Sequence, residues 1–239
     1  MKETGAAGVP EEEQWMKELL ALSETEEQMT PRQLAIVQAA IEIFSEKGYS
    51  AASTNEIARK AGVAEGTIFR YYKTKKDLLL SIVGGTMSRM LAPFVLSKFN
   101  GLLDEPGGSC EEFLRALIRN RLDFSREHIK ILRIFIQEVP FQPALREQFV
   151  KNVLDQVLER LTAITGHYKA KGEIIDAPTP ALLRFTISAV IGYLLTRLIF
   201  IPDHEWDDEQ EIDLTVNFIL HGIGGPQGKN ATGDSSGQI

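Results

Sequence analysis

Apolar residues recur at helical spacing along most of this chain, and the strict alternation of a half-buried strand is nearly absent. Between residues 31 and 47, Leu34, Val37, Ala40, Ile41 and Phe44 fall on one side of a helix that has Pro31 near its start. Shorter segments follow at once. Ser53 with Glu56 three residues later is a capping box, so a helix starts at Ser53 and carries Ile57, Ala58 and Ala61 inward. Gly62 ends that helix, and Val63 points inward at the turn. A second short helix is expected from about Ala64 to Tyr72, with Ile68 and either Phe69 or Tyr72 on its inner side. Thr74 with Asp77 repeats the capping pattern and opens a third helix through Leu78, Leu79, Ile82 and Val83, with bends expected at Gly84-Gly85 and at Pro93. Lys75 and Lys76 sit in its first turn, where cations oppose the helix dipole and require another partner, such as a phosphate.

Further on, turn residues cluster at Asp104-Glu105-Pro106-Gly107-Gly108, and helices are expected over 110–126, 128–138, 143–171, 179–201 and 208–221. The fold class is therefore all-α. Four regions are expected: an acidic extension over 1–29, a helix-turn-helix head over 30–77, a helical body over 78–221, and a disordered tail over 222–239 that is rich in Gly, Ser and Asn. Within the extension, Trp15, Leu19 and Leu22 share one helical side and predict a short amphipathic helix, which docks on the protein's own body or on a partner.

Two short helices joined by a tight turn are the layout of a reader of duplex DNA. At this point the chain resembles a family. Phe44, Gly48, Tyr49, Ala51, Ile57, Ala58, Ala61-Gly62-Val63, Gly66-Thr67, Tyr71-Tyr72 and Lys75 are similar in identity and spacing to the amino-terminal domain of the tetracycline-repressor (TetR) family of bacterial transcription regulators. The likeness covers residues 31 to 80, and the remainder matches only in its helical outline. It implies that Ser53, Thr54 and Asn55 lie near phosphates and that Glu65, Gly66, Thr67, Arg70 and Tyr71 face the major groove. It also implies that Lys75 holds the DNA backbone. Hydroxyls and lysines on phosphate fix register, whereas a side chain at base edges, such as Arg70 on guanine, specifies sequence. Glu65 stands where the family more often has a basic or neutral polar residue, and Phe69 where it usually has tyrosine. A carboxylate among phosphates costs binding unless it accepts from a cytosine amine.

The charge distribution agrees with one DNA-facing region. Residues 30 to 78 carry eight Lys and Arg against five Asp and Glu, whereas residues 1 to 29 carry two against eight, within a chain of net charge −7. Phosphate attraction acts within a Debye length of roughly 8 to 10 Å, so one basic island suffices in an acidic protein. No 18-residue run is uninterruptedly apolar and no secretory signal pattern opens the sequence, so the expectation is a cytoplasmic protein without a membrane partner. The single cysteine, Cys110, excludes an internal disulfide and a multi-thiol metal site. Four scattered histidines, with no phosphate loop and no nucleophile motif, argue against an enzyme, and neither a cofactor nor a metal is expected.

In the body, phenylalanines at helical spacing read first as core. Asn120 shares a face with Phe113, Leu117 and Phe124, and Gln156 with Phe149, Val153 and Val157. Asn120, Phe124, Phe135 and Gln156 are therefore candidate contacts for a small hydrophobic ligand, although a backbone partner satisfies such amides equally well. The resemblance implies a homodimer through the last two helices, where Ser188, Ala189 and Gly192 permit close approach beside Ile187, Ile191 and Leu195. A two-fold dimer implies a pseudo-palindromic operator. The leading expectation is a ligand-controlled repressor. The alternative is an architectural or partner-binding helical protein that associates with DNA without a small-molecule effector.

Overall fold

The computed structural model describes residues 29–86 and 108–223, and every regular element among them is helical. The Trp15 segment, the bend at Pro93 and the tail beyond residue 223 lie outside the described residues. In chain order the helices are α1 (Pro31–Lys47), α2 (Thr54–Lys60), α3 (Glu65–Tyr71) and α4 (Lys75–Leu80). They continue with α5 (Cys110–Glu127), α6 (Ile129–Glu138), α7 (Pro143–Phe149), α8 (Asp155–Ala170), α9 (Thr179–Leu195) and α10 (Asp208–His221). Wider π-helical turns extend α4 over Ser81–Thr86, α7 over Val150–Leu154 and α9 over Thr196–Phe200. The first contains the Gly84-Gly85 pair at which the sequence predicts a bend.

The predicted caps form. Ser53 accepts from the Glu56 amide at 3.1 Å, Thr74 accepts from the Asp77 amide at 3.1 Å, and both acidic side chains return to the cap residue's amide. A third box, Thr30 with Gln33, starts α1. After α2 the amide of Val63 donates to Ala58 and that of Gly62 to Arg59, with Gly62 at φ +66°. Those paired bonds form a Schellman turn, which needs a residue in the left-handed region and so favours glycine. It reverses the chain tightly enough to set α3 against α2.

The described residues divide into two compact units. One holds the described residues up to Glu105 together with Phe124–Leu161, and the other holds those within Pro106–Asp123 and Thr162–Ile239. In the first unit Ile36, Ile41 and Phe44 of α1, Ile57 of α2, Ile68 of α3, and Leu78, Leu79 and Ile82 of the α4 segment are fully buried in one core. That core runs on through Ile131 and Ile134 of α6, Val139 and Leu145. Phe135 and Phe149 pack against it with their rings edge-on at 4.8 Å. The head therefore rests on α6 and α7, which follow it by dozens of residues.

In the second unit the start of α5 is capped twice. Ser109 and Glu112 form a box, and the Cys110 amide donates to Glu173 at 2.5 Å. Arg115 pairs with Asp213 and Arg119 with Glu209, which ties α5 to α10. Between α9 and α10, Arg197 and the Tyr193 hydroxyl both donate to Asp208, and the Trp206 indole donates to the Ile201 carbonyl at 3.1 Å.

Candidate nucleic-acid interface

α3 has seven residues, too few to hold a helix alone, and its one fully buried side chain is Ile68. Burying Ile68 orients the rest of the helix. Gly66, Phe69 and Arg70 are exposed, and Glu65, Thr67 and Tyr71 are half-buried at its flanks. Tyr72, not Phe69, supplies the second inward ring, since Tyr72 is buried and Phe69 is exposed. A Cβ added at Gly66 would meet nothing within 4 Å, so the backbone there is open to close approach from outside.

The polar residues around this face are partly committed to each other. Arg70 donates to the Tyr71 hydroxyl at 3.0 Å and stacks over its ring at 5.0 Å. The Thr30 hydroxyl donates to the same Tyr71 oxygen at 3.3 Å, joining the cap of α1 to the end of α3. The bond from Thr30, then that from Arg70, hold the Tyr71 phenol below its ordinary range. Thr54 donates to the Glu65 carboxylate at 2.5 Å, across the turn from the start of α2 to the start of α3. Ser53 is occupied as the cap of α2, whereas Asn55 is exposed and makes no side-chain hydrogen bond among the described residues.

Lys75 has a partner within the protein. Its ammonium donates to the carbonyls of Tyr49 and Ala52 at 2.8 Å each and lies 4.4 Å from the centre of the Tyr49 ring. A cation at the start of α4 is thus compensated by two carbonyls of the loop between α1 and α2, and no phosphate is required to account for it. Lys73 and Lys76 beside it are exposed. Thr30 and Tyr49, which hold Tyr71 and Lys75, were not singled out from the sequence as site residues. The T-x-x-Q pattern at Thr30 was a readable signal, while the reach of Lys75 over 26 positions had none.

The candidate ligand residues are distributed unevenly. Asn120 is half-buried and accepts from Arg121 at 2.6 Å. Phe124 is buried edge-on to His128 with centroids 4.5 Å apart, Phe135 packs on the head core, and Gln156 is exposed. Burial pushes the Arg121 guanidinium down to about 10, so it stays cationic at neutral pH in poorly solvated surroundings. Cys110 is buried, and desolvation with the nearby Glu173 charge pushes its thiol up to about 11, which makes it unreactive.

Residues 36–82 match the family described as bacterial regulatory proteins, tetR family. The fatty acid metabolism regulator protein of Bacillus subtilis is 39% identical over 64 residues, which is 27% of this chain and 33% of that protein. The uncharacterised regulator YvkB of the same organism is 26% identical over 173 residues, 71% of this chain and 85% of its own length. Among solved structures, the fatty acid degradation regulator FadR of Bacillus halodurans aligns with a TM-score of 0.63 at 22% identity, over 82% of this chain and 98% of its own. FadR of Bacillus subtilis, solved in complex with stearoyl-CoA, aligns at 0.61 and 23% identity over 80% and 99%. The structural alignments show a shared helical fold, and the family match identifies residues 36–82, the helix-turn-helix segment, with the tetR family of bacterial regulatory proteins.

Proposed function

We propose that the protein is a sequence-specific transcriptional repressor that reads duplex DNA through the outward face of α3, twice per two-fold dimer. A small hydrophobic ligand in the carboxy-terminal helices sets its grip on the operator. The observation that carries this reading is the orientation of α3, with Ile68 fully buried and Gly66 and Arg70 turned outward. In this reading Asn55 and the exposed Lys73 and Lys76 meet phosphates, and Arg70 leaves Tyr71 to reach a base edge.

The dimer is supported by an unfinished apolar surface. Phe185 and Ile191 of α9 and Leu214 and Phe218 of α10 are each more than two-fifths exposed, beside the exposed small residues Ser188 and Gly192. The segment Thr179–Phe200 has a mean hydropathy of 1.6 over its most apolar window, so by length and composition it could cross a bilayer. A second copy is the better cover. Arg184 stands exposed within that segment and Arg197 is paired with Asp208, charges that suit an interface rim more than a hydrocarbon core.

Two points favour an acyl-chain ligand with an anionic end. Asn120 and the poorly solvated Arg121 stand on the helix that carries Phe113, Leu117 and Phe124. In addition, one relative is named for fatty acid metabolism, and one structural neighbour was solved with stearoyl-CoA. Ile131 and Ile134 of α6 share the head's core and α6 packs on α1, so a shift of α6 would reach α1 directly and α3 through α1.

The test is a duplex enriched from random sequence. It should be a pseudo-palindrome with half-sites roughly 34 to 36 Å apart, and inserting about five base pairs between them should abolish dimer binding. Stearoyl-CoA added to the complex should change operator affinity. Unchanged affinity, with no heat of binding to the free protein, would remove the acyl ligand from the account and leave the DNA reading standing.

A further inference from the structure

We infer that Glu65 is a base reader of this protein, selecting a cytosine in each half-site, and that Thr54 is the residue that positions it. The inference rests on the reading of α3 as the recognition helix. Glu65 is the first residue of α3, and base edges in the major groove are met by the amino-terminal residues of a recognition helix. Its side chain is half-buried and held across the turn, with the Thr54 hydroxyl 2.5 Å from Oε1. No basic side chain pairs with it among the described residues, so no ion pair within the protein offsets its charge.

An ionised carboxylate has only acceptors, spread over two oxygens. With one oxygen engaged by Thr54, the other remains for a donor, and the amine of cytosine is the major-groove donor a carboxylate reads best. Phosphates offer no donor, so a carboxylate at this place weakens binding to every sequence that lacks such an amine. Selectivity by Glu65 therefore acts mainly through rejection. Thr54 carries a different role from the one the family resemblance implies. Its hydroxyl proton goes to Glu65, and Asn55, exposed and uncommitted, is left as the freer phosphate contact of the pair.

The experiment is selection of duplexes from a random pool by wild-type protein and by Glu65→Gln, Glu65→Ala, Thr54→Val and Thr54→Ser, followed by affinity measurement on single-base variants. Wild type should enrich a cytosine at one position per half-site and lose roughly ten-fold to a hundred-fold when it becomes thymine. Glu65→Gln should move the preference toward adenine, which an amide reads with both its groups. Glu65→Ala should flatten that position and leave the others intact. Thr54→Val should reduce discrimination at the same position alone, and Thr54→Ser should restore it, which separates positioning from a general loss of the fold. If Glu65→Ala keeps the wild-type base preference, or tightens binding to all sequences equally, the carboxylate is only a repulsive charge and the inference fails while DNA reading stands. If wild type enriches no sequence, both fail.

Discussion

The head and the last two helices solve the problem of burial in opposite ways. Among the described residues, ten of the twelve largest fully buried side chains belong to the first unit, and only Ile118 and Leu122 belong to the second. The reverse holds for exposure, because Phe185, Ile191, Phe200, Ile201, Leu214 and Phe218 all lie on or just after α9 and α10. A short helix such as α3 has to be pinned from behind if its front is to meet DNA with a fixed geometry. An interface helix can leave its apolar side bare because a second copy covers it. The difference teaches where each unit places its apolar side chains: the first unit encloses its largest ones behind α3, and the second leaves a row of them on α9 and α10, the surface that the proposed dimer would cover.

The contrast breaks most visibly in the head. Phe44→Ala removes a ring that is fully buried and edge-on to Tyr49 at 5.4 Å, and should cost about 3–5 kcal/mol. Thermal unfolding would show it, with operator binding lost in parallel. On the other side, Phe218→Glu should leave helix content unchanged by circular dichroism and raise the dimer dissociation constant roughly 30-fold or more in sedimentation equilibrium. A substitution there that unfolds the monomer would erase the distinction. Lys75→Ala should destabilise the free protein by about 1–2 kcal/mol through two orphaned carbonyls, with no DNA present. A phosphate-only role for Lys75 predicts unchanged stability. Ser53→Ala should cost ~1 kcal/mol through the lost cap of α2.

The smallest effect at neutral pH comes from the second unit's thiol. Cys110 has its folded value raised from 9.0 to about 11. Well below pH 9 it is protonated in both states and contributes no pH dependence. Between about pH 9 and 11 the unfolded state ionises first, so stability should fall with rising pH across that window and level off above it. Iodoacetamide at pH 8 should leave the native thiol unmodified and label it after unfolding.

The head was legible because its signals are local. The capping residues Ser53 and Thr74, the glycine of the turn and the inward Ile68 each act within a few positions, and the predicted helices lie within a residue or two of the observed ones. Helix spacing after residue 110 was legible for the same reason. Pairings over distance were not. The sequence offers no sign that Lys75 reaches Tyr49, that Thr54 holds Glu65, or that Ile131 and Ile134 complete the head's core, because each depends on how separate helices pack. Gln156 shows the same limit from the other direction. Its apolar neighbours in the helical wheel suggested an inward amide, yet packing leaves it exposed.

The central claim is that the outward face of α3 reads base sequence. Its most direct test is the affinity of wild type and of Arg70→Ala for the enriched pseudo-palindrome and for a scrambled duplex of equal length, at one fixed salt concentration. Wild type should prefer the palindrome by about a thousand-fold or more. Arg70→Ala should lose roughly 1–3 kcal/mol of discrimination at one base pair per half-site while keeping its affinity for the scrambled duplex. Equal binding of wild type to both duplexes, or an equal loss on both for Arg70→Ala, would contradict the account.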